Sequence, residues 1–144
     1  MIPVILYYSF SGKTRAEAEK RAAETGADLF ELVEVKKRGF FSVYLIGCPM
    51  AISRAASKIR PLDIDWSRYD TVTLMSPVWA GSPAPAFNAA LEIIPKDKVL
   101  HVVLCSAGGE TPKSKEATIS MLRSQGFALA SYTDILTSAP KILT

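Results

Sequence analysis

Apolar positions along the chain cluster into five short runs, and the stretches between them carry helical spacing. The first run (Ile2, Val4, Ile5, Leu6, Tyr7) has the length and density of a buried strand. The Ala-rich segment 13–25 follows and reads as a helix closed by Gly26. A second strand is expected over 28–35 (Leu29, Phe30, Leu32, Val33, Val35), broken by Lys36-Lys37-Arg38-Gly39. Residues 40–57 are helical in pattern, but Gly47 and Pro49 interrupt them, which predicts a kink or two short helices. Residues 60–65 read as a connection, and 66–70 lead into a third strand at 71–76. Phe87, Ala90, Leu91 and Ile94 then stand at i, i+3, i+4 and i+7, one stripe of an amphipathic helix ended by Pro95. The run at 98–106 (Val99, Leu100, Val102, Val103, Leu104) does not alternate, which suits a central strand buried on both faces. Thr111-Pro112 is a good helix start, Gly126 a good stop, and the last strand falls within 127–136.

The order is therefore βαβαβαβαβ, which calls for a parallel sheet with helices on its faces. At 144 residues the chain is the size of one domain, and 1–144 is read as such. A closing fifth helix is missing or very short. Right-handed crossovers then leave segment 13–25 alone on one face, with the other helices opposite. The under-covered face beneath the third, fourth and fifth strands predicts a homodimer, with Val103 or Leu104 near the contact, unless residues 138–144 fold back over it.

In open sheets of this type ligands bind beyond the carboxyl ends of the strands. Three loops leave those ends, and in strand order 2-1-3-4-5 they converge. The first is Ser9, Phe10, Ser11, Gly12, Lys13 and Thr14. A strand ending in hydroxyl residues and turning straight into a helix makes an anion site, because the first helical N–H groups lack partners and the dipole favours negative charge. The same residues also serve as ordinary turn and N-cap chemistry. Gly12-Lys13-Thr14 imitates the end of a nucleotide-binding P-loop, but that motif needs a glycine where Tyr7 stands, and the spacing excludes it. The second loop is Pro77, Val78, Trp79, Ala80, Gly81, Ser82 and Pro83; the third is Ser106, Ala107, Gly108, Gly109 and Glu110. Together they describe a site for a phosphorylated, flat, partly apolar molecule.

These loops resemble those of the flavodoxin-like family, whose FMN phosphate loop has the form Ser/Thr-x-Ser/Thr-Gly-x-Thr; Ser9-Phe10-Ser11-Gly12-Lys13-Thr14 matches it. Pro77-Val78-Trp79-Ala80-Gly81 is similar to the family's isoalloxazine loop, and Ser106-Ala107-Gly108-Gly109 to its flavin-edge loop. The resemblance implies a doubly wound five-stranded parallel sheet of order 2-1-3-4-5 and FMN as cofactor. It implies that Ser9, Ser11, Gly12, Lys13 and Thr14 hold the phosphate, that Trp79 stacks on the flavin, and that Ala80 and Gly81 face its N5. Lys13 departs from the family's usual Asn. The implied function is electron transfer to a redox partner protein or small-molecule acceptor, with an FMN-dependent quinone or nitro-compound reductase as the enzymatic alternative. A flavin-free interaction domain is the third reading. A phospho-acceptor domain is disfavoured, because Ser9, Phe10 and Ser76 stand where its acidic residues belong.

Charge changes this picture in one respect. The formal net charge is +3, whereas small electron-shuttling flavodoxins are usually acidic around the flavin edge, so their usual docking partners are not implied. No aromatic-studded basic stripe points to nucleic acid. Residues 40–52, flanked by Lys36, Lys37, Arg38, Arg54, Lys58 and Arg60, have the composition of an interfacial helix, yet their apolar residues serve equally as crossover-helix core. The core reading is taken, and membrane contact is not expected. Nothing reaches the roughly 18 consecutive apolar residues of a membrane span. Cys48 and Cys105 are too few for a disulfide framework, and with no signal-like leader a cytoplasmic protein with reduced thiols is expected. His101 reads as structural, Cys105 as a buried inert thiol and Glu110 as a helix-capping carboxylate; no metal site is expected.

Overall fold

The computed structural model describes residues 2–106 and 114–137. Five parallel strands carry the fold: β1 (Ile2–Tyr7), β2 (Asp28–Glu31), β3 (Tyr69–Trp79), β5 (Val99–Ser106) and β6 (Ala128–Leu136). They run in the order β2-β1-β3-β5-β6, and a two-residue β4 (Ser82–Pro83) folds back antiparallel on the end of β3. With β4 set aside, this is the expected 2-1-3-4-5 order.

Consecutive residues of β1, Val4 to Tyr7, are all buried, as a strand covered on both faces requires. Val4, Leu6, Val72, Leu74, Leu100, Val102 and Leu104 point to one side, where α4 (Pro85–Ile93) brings Phe87 and Leu91 and α5 (Lys115–Ser124) brings Leu122. Ile5, Tyr7, Met75, Val103 and Cys105 point to the other, against Ala18 of α1 (Lys13–Thr25). Small side chains let α1 lie close on the sheet. It stops at Gly26, whose φ of 72° lets its N–H reach the Ala22 carbonyl at 2.9 Å.

Three element boundaries differ from expectation. β2 ends at Glu31, not at 35, because its neighbour β1 ends at Tyr7, the partner of Glu31. Beyond it the chain pairs elsewhere: Val35 N–H donates to the Lys58 carbonyl (2.9 Å) and Arg60 N–H to that of Val33 (2.7 Å). β3 runs through Pro77 to Trp79, past the expected end at 76; proline is tolerated on an edge, and β1 no longer pairs there. The expected loop 77–83 is thus a hairpin, whose two turn residues, Ala80 (φ 52°) and Gly81 (φ 81°), both take the left-handed conformation favoured in tight hairpins. The helical stretch after Gly39 ends at Ile52 rather than 57, divided into α2 (Phe40–Ser42), a π-turn (Val43–Gly47) and α3 (Cys48–Ile52). Pro49 is the cause of the division: it has no N–H for the ordinary ladder, and Cys48 N–H instead reaches back five residues to the Val43 carbonyl. The expected start of the last helix at Thr111-Pro112 lies outside the described residues.

Among the described residues the two sides are unequally covered, as anticipated, with only α1 on one of them. Val103 and Leu104, one of which was expected near a homodimer contact, are buried within the single chain (2% and 0% exposed), and the expected covering segment 138–144 lies outside the described residues. The accessible part of the α1 side is mixed: Thr71, Thr73, His101, Ser131 and Thr133, with Arg21, share the lining of a 240 Å³ cavity there with Pro3, Ile5, Ala27 and Val103. His101 Nδ1 lies 2.6 Å from Ser131 Oγ, in keeping with a structural histidine.

Leu104→Ala is expected to destabilise the fold by about 2–5 kcal/mol, and Thr133→Ala on the cavity to stay within about 0.5 kcal/mol. Urea unfolding of the two variants measures the contrast.

Candidate functional site

β1 hands the chain to its loop with a last sheet bond, from Tyr8 N–H to the Met75 carbonyl (3.1 Å). Ser9, Phe10 and Ser11 make the turn, and Gly12 closes it at φ 94° as the residue before α1. No heavy atom stands within 4 Å of where a Gly12 side chain would begin, so that position faces open space, and the left-handed backbone is what selects glycine. Gly12 N–H donates to Ser9 Oγ at 3.0 Å, which shapes the loop. The first ladder bond of α1 runs from Ala16 N–H to the Gly12 carbonyl (3.1 Å), so the N–H groups of Lys13, Thr14 and Arg15 precede it. No side chain caps this end and no acidic residue occupies the first turn. Ser11 and Lys13 are exposed and Thr14 is buried. The loop is an uncapped, cationic helix start, which is what an anion requires.

The β3–β4 hairpin adjoins this loop through Trp79. Expected as an open stacking platform, the indole is buried instead (5% exposed). Tyr8 and Phe10 meet it edge-on, with centroids 5.8 and 6.0 Å away, and the Arg38 guanidinium lies 5.4 Å from its centroid. The π-turn closes in from the remaining side: a side-chain carbon added at Gly47 would stand 2.7 Å from Trp79 Cζ3. Burial of a large aromatic amid apolar and cationic neighbours explains the difference. Pro77 and Val78 are half-buried, and Ala80 and Gly81 form the exposed tip. The Gly81 carbonyl accepts from the Ser114 hydroxyl, which ties the tip to the start of α5.

Arg38 is held by a network that the sequence reading did not single out. Its Nε donates to both Glu34 oxygens (2.9 and 3.1 Å), and Tyr8 OH donates to Glu34 Oε1 (2.6 Å). Both side chains of the ion pair are more than nine-tenths buried. Burial, then the bond to Glu34, raises the Tyr8 phenol far above its ordinary range. The signal available was Glu34 between Val33 and Val35, followed four residues later by Arg38.

Of the third loop, Ser106 ends β5 and its carbonyl accepts from Thr137 N–H (2.9 Å). Ala107, Gly108, Gly109 and Glu110 lie outside the described residues. Cys105 is buried, and desolvation pushes its thiol up to about 11, opposed by the Thr14 hydroxyl. That matches the reading of an inert thiol. Among the described residues no cluster of His, Cys, Asp or Glu suits a metal ion.

No family model matches the chain, and no curated protein does. Solved structures match it well. A flavoprotein from Lactobacillus acidophilus NCFM, crystallised in complex with FMN, is 25% identical over 91% of each chain, with a TM-score of 0.75. A Bacteroides uniformis structure matches with a TM-score of 0.81 at 13% identity, covering 99% of this chain and 94% of its own. Oxidised flavodoxin 1 from Bacillus cereus matches with a TM-score of 0.51 at 15% identity, covering 99% and 88%. The fold is flavodoxin-like, as the three loops implied.

Two consequences are measurable. Gly47→Ala forces a carbon into the Trp79 ring and is expected to cost about 1–3 kcal/mol in thermal or urea unfolding. Cys105 has its thiol raised from an ordinary 9.0 to about 11 in the folded chain, so the neutral form is the one folding favours. Its contribution is therefore fully present below pH 9 and is lost as pH rises from 9 towards 11. Cys105→Ala removes that part of the alkaline slope. In the native protein at neutral pH a thiol reagent should label the partly exposed Cys48 well before Cys105.

Proposed function

We propose that this chain is an FMN-binding redox protein that passes electrons to a partner protein or small acceptor. The observation that carries the reading is the start of α1: three N–H groups ahead of the first ladder bond, the left-handed Gly12, the hydroxyls of Ser9, Ser11 and Thr14, and the exposed Lys13. These residues fit a phosphate monoester, and they stand where the sheet order brings the ends of β1, β3 and β5 together. The structural neighbour crystallised with FMN supports the choice of ligand.

In this reading Ser9, Ser11, Gly12, Lys13 and Thr14 bind the phosphate. Pro77, Val78, Ala80 and Gly81 of the hairpin border the flavin ring, with Ser106, Ala107, Gly108 and Gly109 on its other edge. The flavin, when bound, supplies the one-electron and hydride chemistry. The protein's part is to orient it, and the buried Trp79 acts by holding Phe10 and the hairpin in place. For Trp79 itself to stack on the ring, Phe10 or Arg38 has to withdraw from it. The exposed tip at Ala80 and Gly81 favours electron exchange with an external acceptor over chemistry on a substrate enclosed in the protein. A quinone or nitro-compound reductase is the second form of the same reading. Free Cys48 and Cys105 support a reducing compartment, the cytoplasm.

Purified protein titrated with FMN should give a stoichiometric complex with flavin absorbance and quenched fluorescence. FMN should bind at least about tenfold tighter than riboflavin, since one charge-assisted hydrogen bond contributes roughly 1.5–3 kcal/mol. Ser11→Ala should weaken FMN and leave riboflavin unchanged, whereas Trp79→Ala should weaken both. Equal affinity of the native protein for FMN and riboflavin would remove residues 9–14 from their assigned role.

A further inference from the structure

The segment linking β2 to the rest of the sheet is built inside out. Its buried positions are the small or branched Val43, Gly47 and Ala51, spaced four apart. Its large apolar side chains face outward: Phe41 is 75% exposed, Leu45 74%, Ile52 60% and Ile46 56%. No charged residue occurs from 39 to 53, so nothing on this protrusion solvates those side chains. The crossover-core reading holds for Val43 and Ala51, which lie in the core, but not for these four side chains. A cluster of this kind on a surface helix marks a docking site, because isolated exposed apolar residues are ordinary and contiguous ones are not.

The charges around it say what docks. Lys36, Lys37, Lys58 and Arg60 are exposed on both flanks, and no Asp or Glu occurs anywhere between 36 and 60. Arg38 and Arg54 are engaged inside, on Glu34 and on the Thr118 hydroxyl. The antiparallel ribbon at the base of the segment turns Glu34 inward, while Val35, Lys58 and Arg60 stay exposed. Protruding apolar side chains framed by cations fit an anionic lipid surface, with the former among the acyl chains and the latter at the headgroups. A folded protein partner would need a cleft shaped to this ridge and acids placed around it; a bilayer supplies both without shape matching. No helix among the described residues is long and apolar enough to cross a membrane, so the contact is interfacial.

We infer that residues 36–60 dock this protein on the surface of an anionic bilayer. This holds independently of whether FMN is bound. The test is flotation of the purified protein with vesicles of phosphatidylcholine alone, and of phosphatidylcholine with about one part in four phosphatidylglycerol. The expected result is binding to the anionic vesicles only, weakened at about 1 M salt, where screening reaches to roughly 3 Å. Leu45→Asp should lower binding about tenfold or more, and Lys36→Glu with Lys37→Glu about fivefold per cation removed. All three positions are exposed, and unchanged circular dichroism confirms that the variants fold. No binding to anionic vesicles at low salt overturns the proposal, as does binding equal on both vesicle types or unaffected by Leu45→Asp. A dimer in the absence of lipid that Leu45→Asp dissolves would assign the surface to a second copy of the chain and overturn it too.

Discussion

β1, β3 and β5 are buried on both faces, and the rest of the molecule follows from that constraint. A strand with no solvent side must receive helices above and below, which demands parallel crossovers and puts all the strand ends with the same polarity together. Tyr7, Met75 and Val103 then lie in register, in the last row that all three strands share. The loops are neighbours because the strands are, and Phe10 against Trp79 is the contact that joins the first loop to the second. The anion site needs nothing further than the start of α1, which the packing of Ala18 on the sheet holds in position.

Trp79 is where the site and the core compete for one side chain. An indole at the end of a central strand gains most by burial, and it finds Tyr8, Phe10, Arg38 and Gly47 around it. Arg38 reaches that place only because Glu34 and Tyr8 satisfy it in a region shielded from water. Removing one member of such a pair leaves a buried charge uncompensated, so the network is best understood as holding the cation over the ring and not as a source of net stability. Phe10 is the half-buried member of the group, lying on the phosphate-loop side.

What the sequence made legible were features set by local rules. The bounds of α1 came from residue pattern and Gly26, which do not depend on distant neighbours, whereas the strand order came from the resemblance of the three loops to a known family. The start of α1 directly after a hydroxyl-rich turn was readable for the same reason as its bounds. The misplaced boundaries depended on tertiary pairing. Residues 32–35 look like more β2, and only the end of β1 at Tyr7 shows that there is no strand left to pair with. Residues 77–79 look like loop because of Pro77, and only an edge vacated by β1 makes the proline harmless. The outward orientation of Phe41 and Leu45 was hidden too, since apolar periodicity states which residues share a face but not which face meets the core.

That last orientation has a cause inside the site. The π-turn lies directly against the Trp79 ring, and at Gly47 even a methyl group has no room. With the indole and the Arg38 guanidinium already filling the volume beneath it, the segment approaches the core only through small residues, and its register is set by Val43, Gly47 and Ala51. The π-turn caused by Pro49 adds a residue to the turn and fixes that register. Once it is fixed, Phe41, Leu45 and Ile52 have nowhere to go but outward. The exposed apolar ridge and the buried tryptophan are two results of one packing problem. A ligand that displaced Phe10 or Arg38 from the ring would therefore act on the ridge through Gly47, the one residue of the segment that the ring touches so closely.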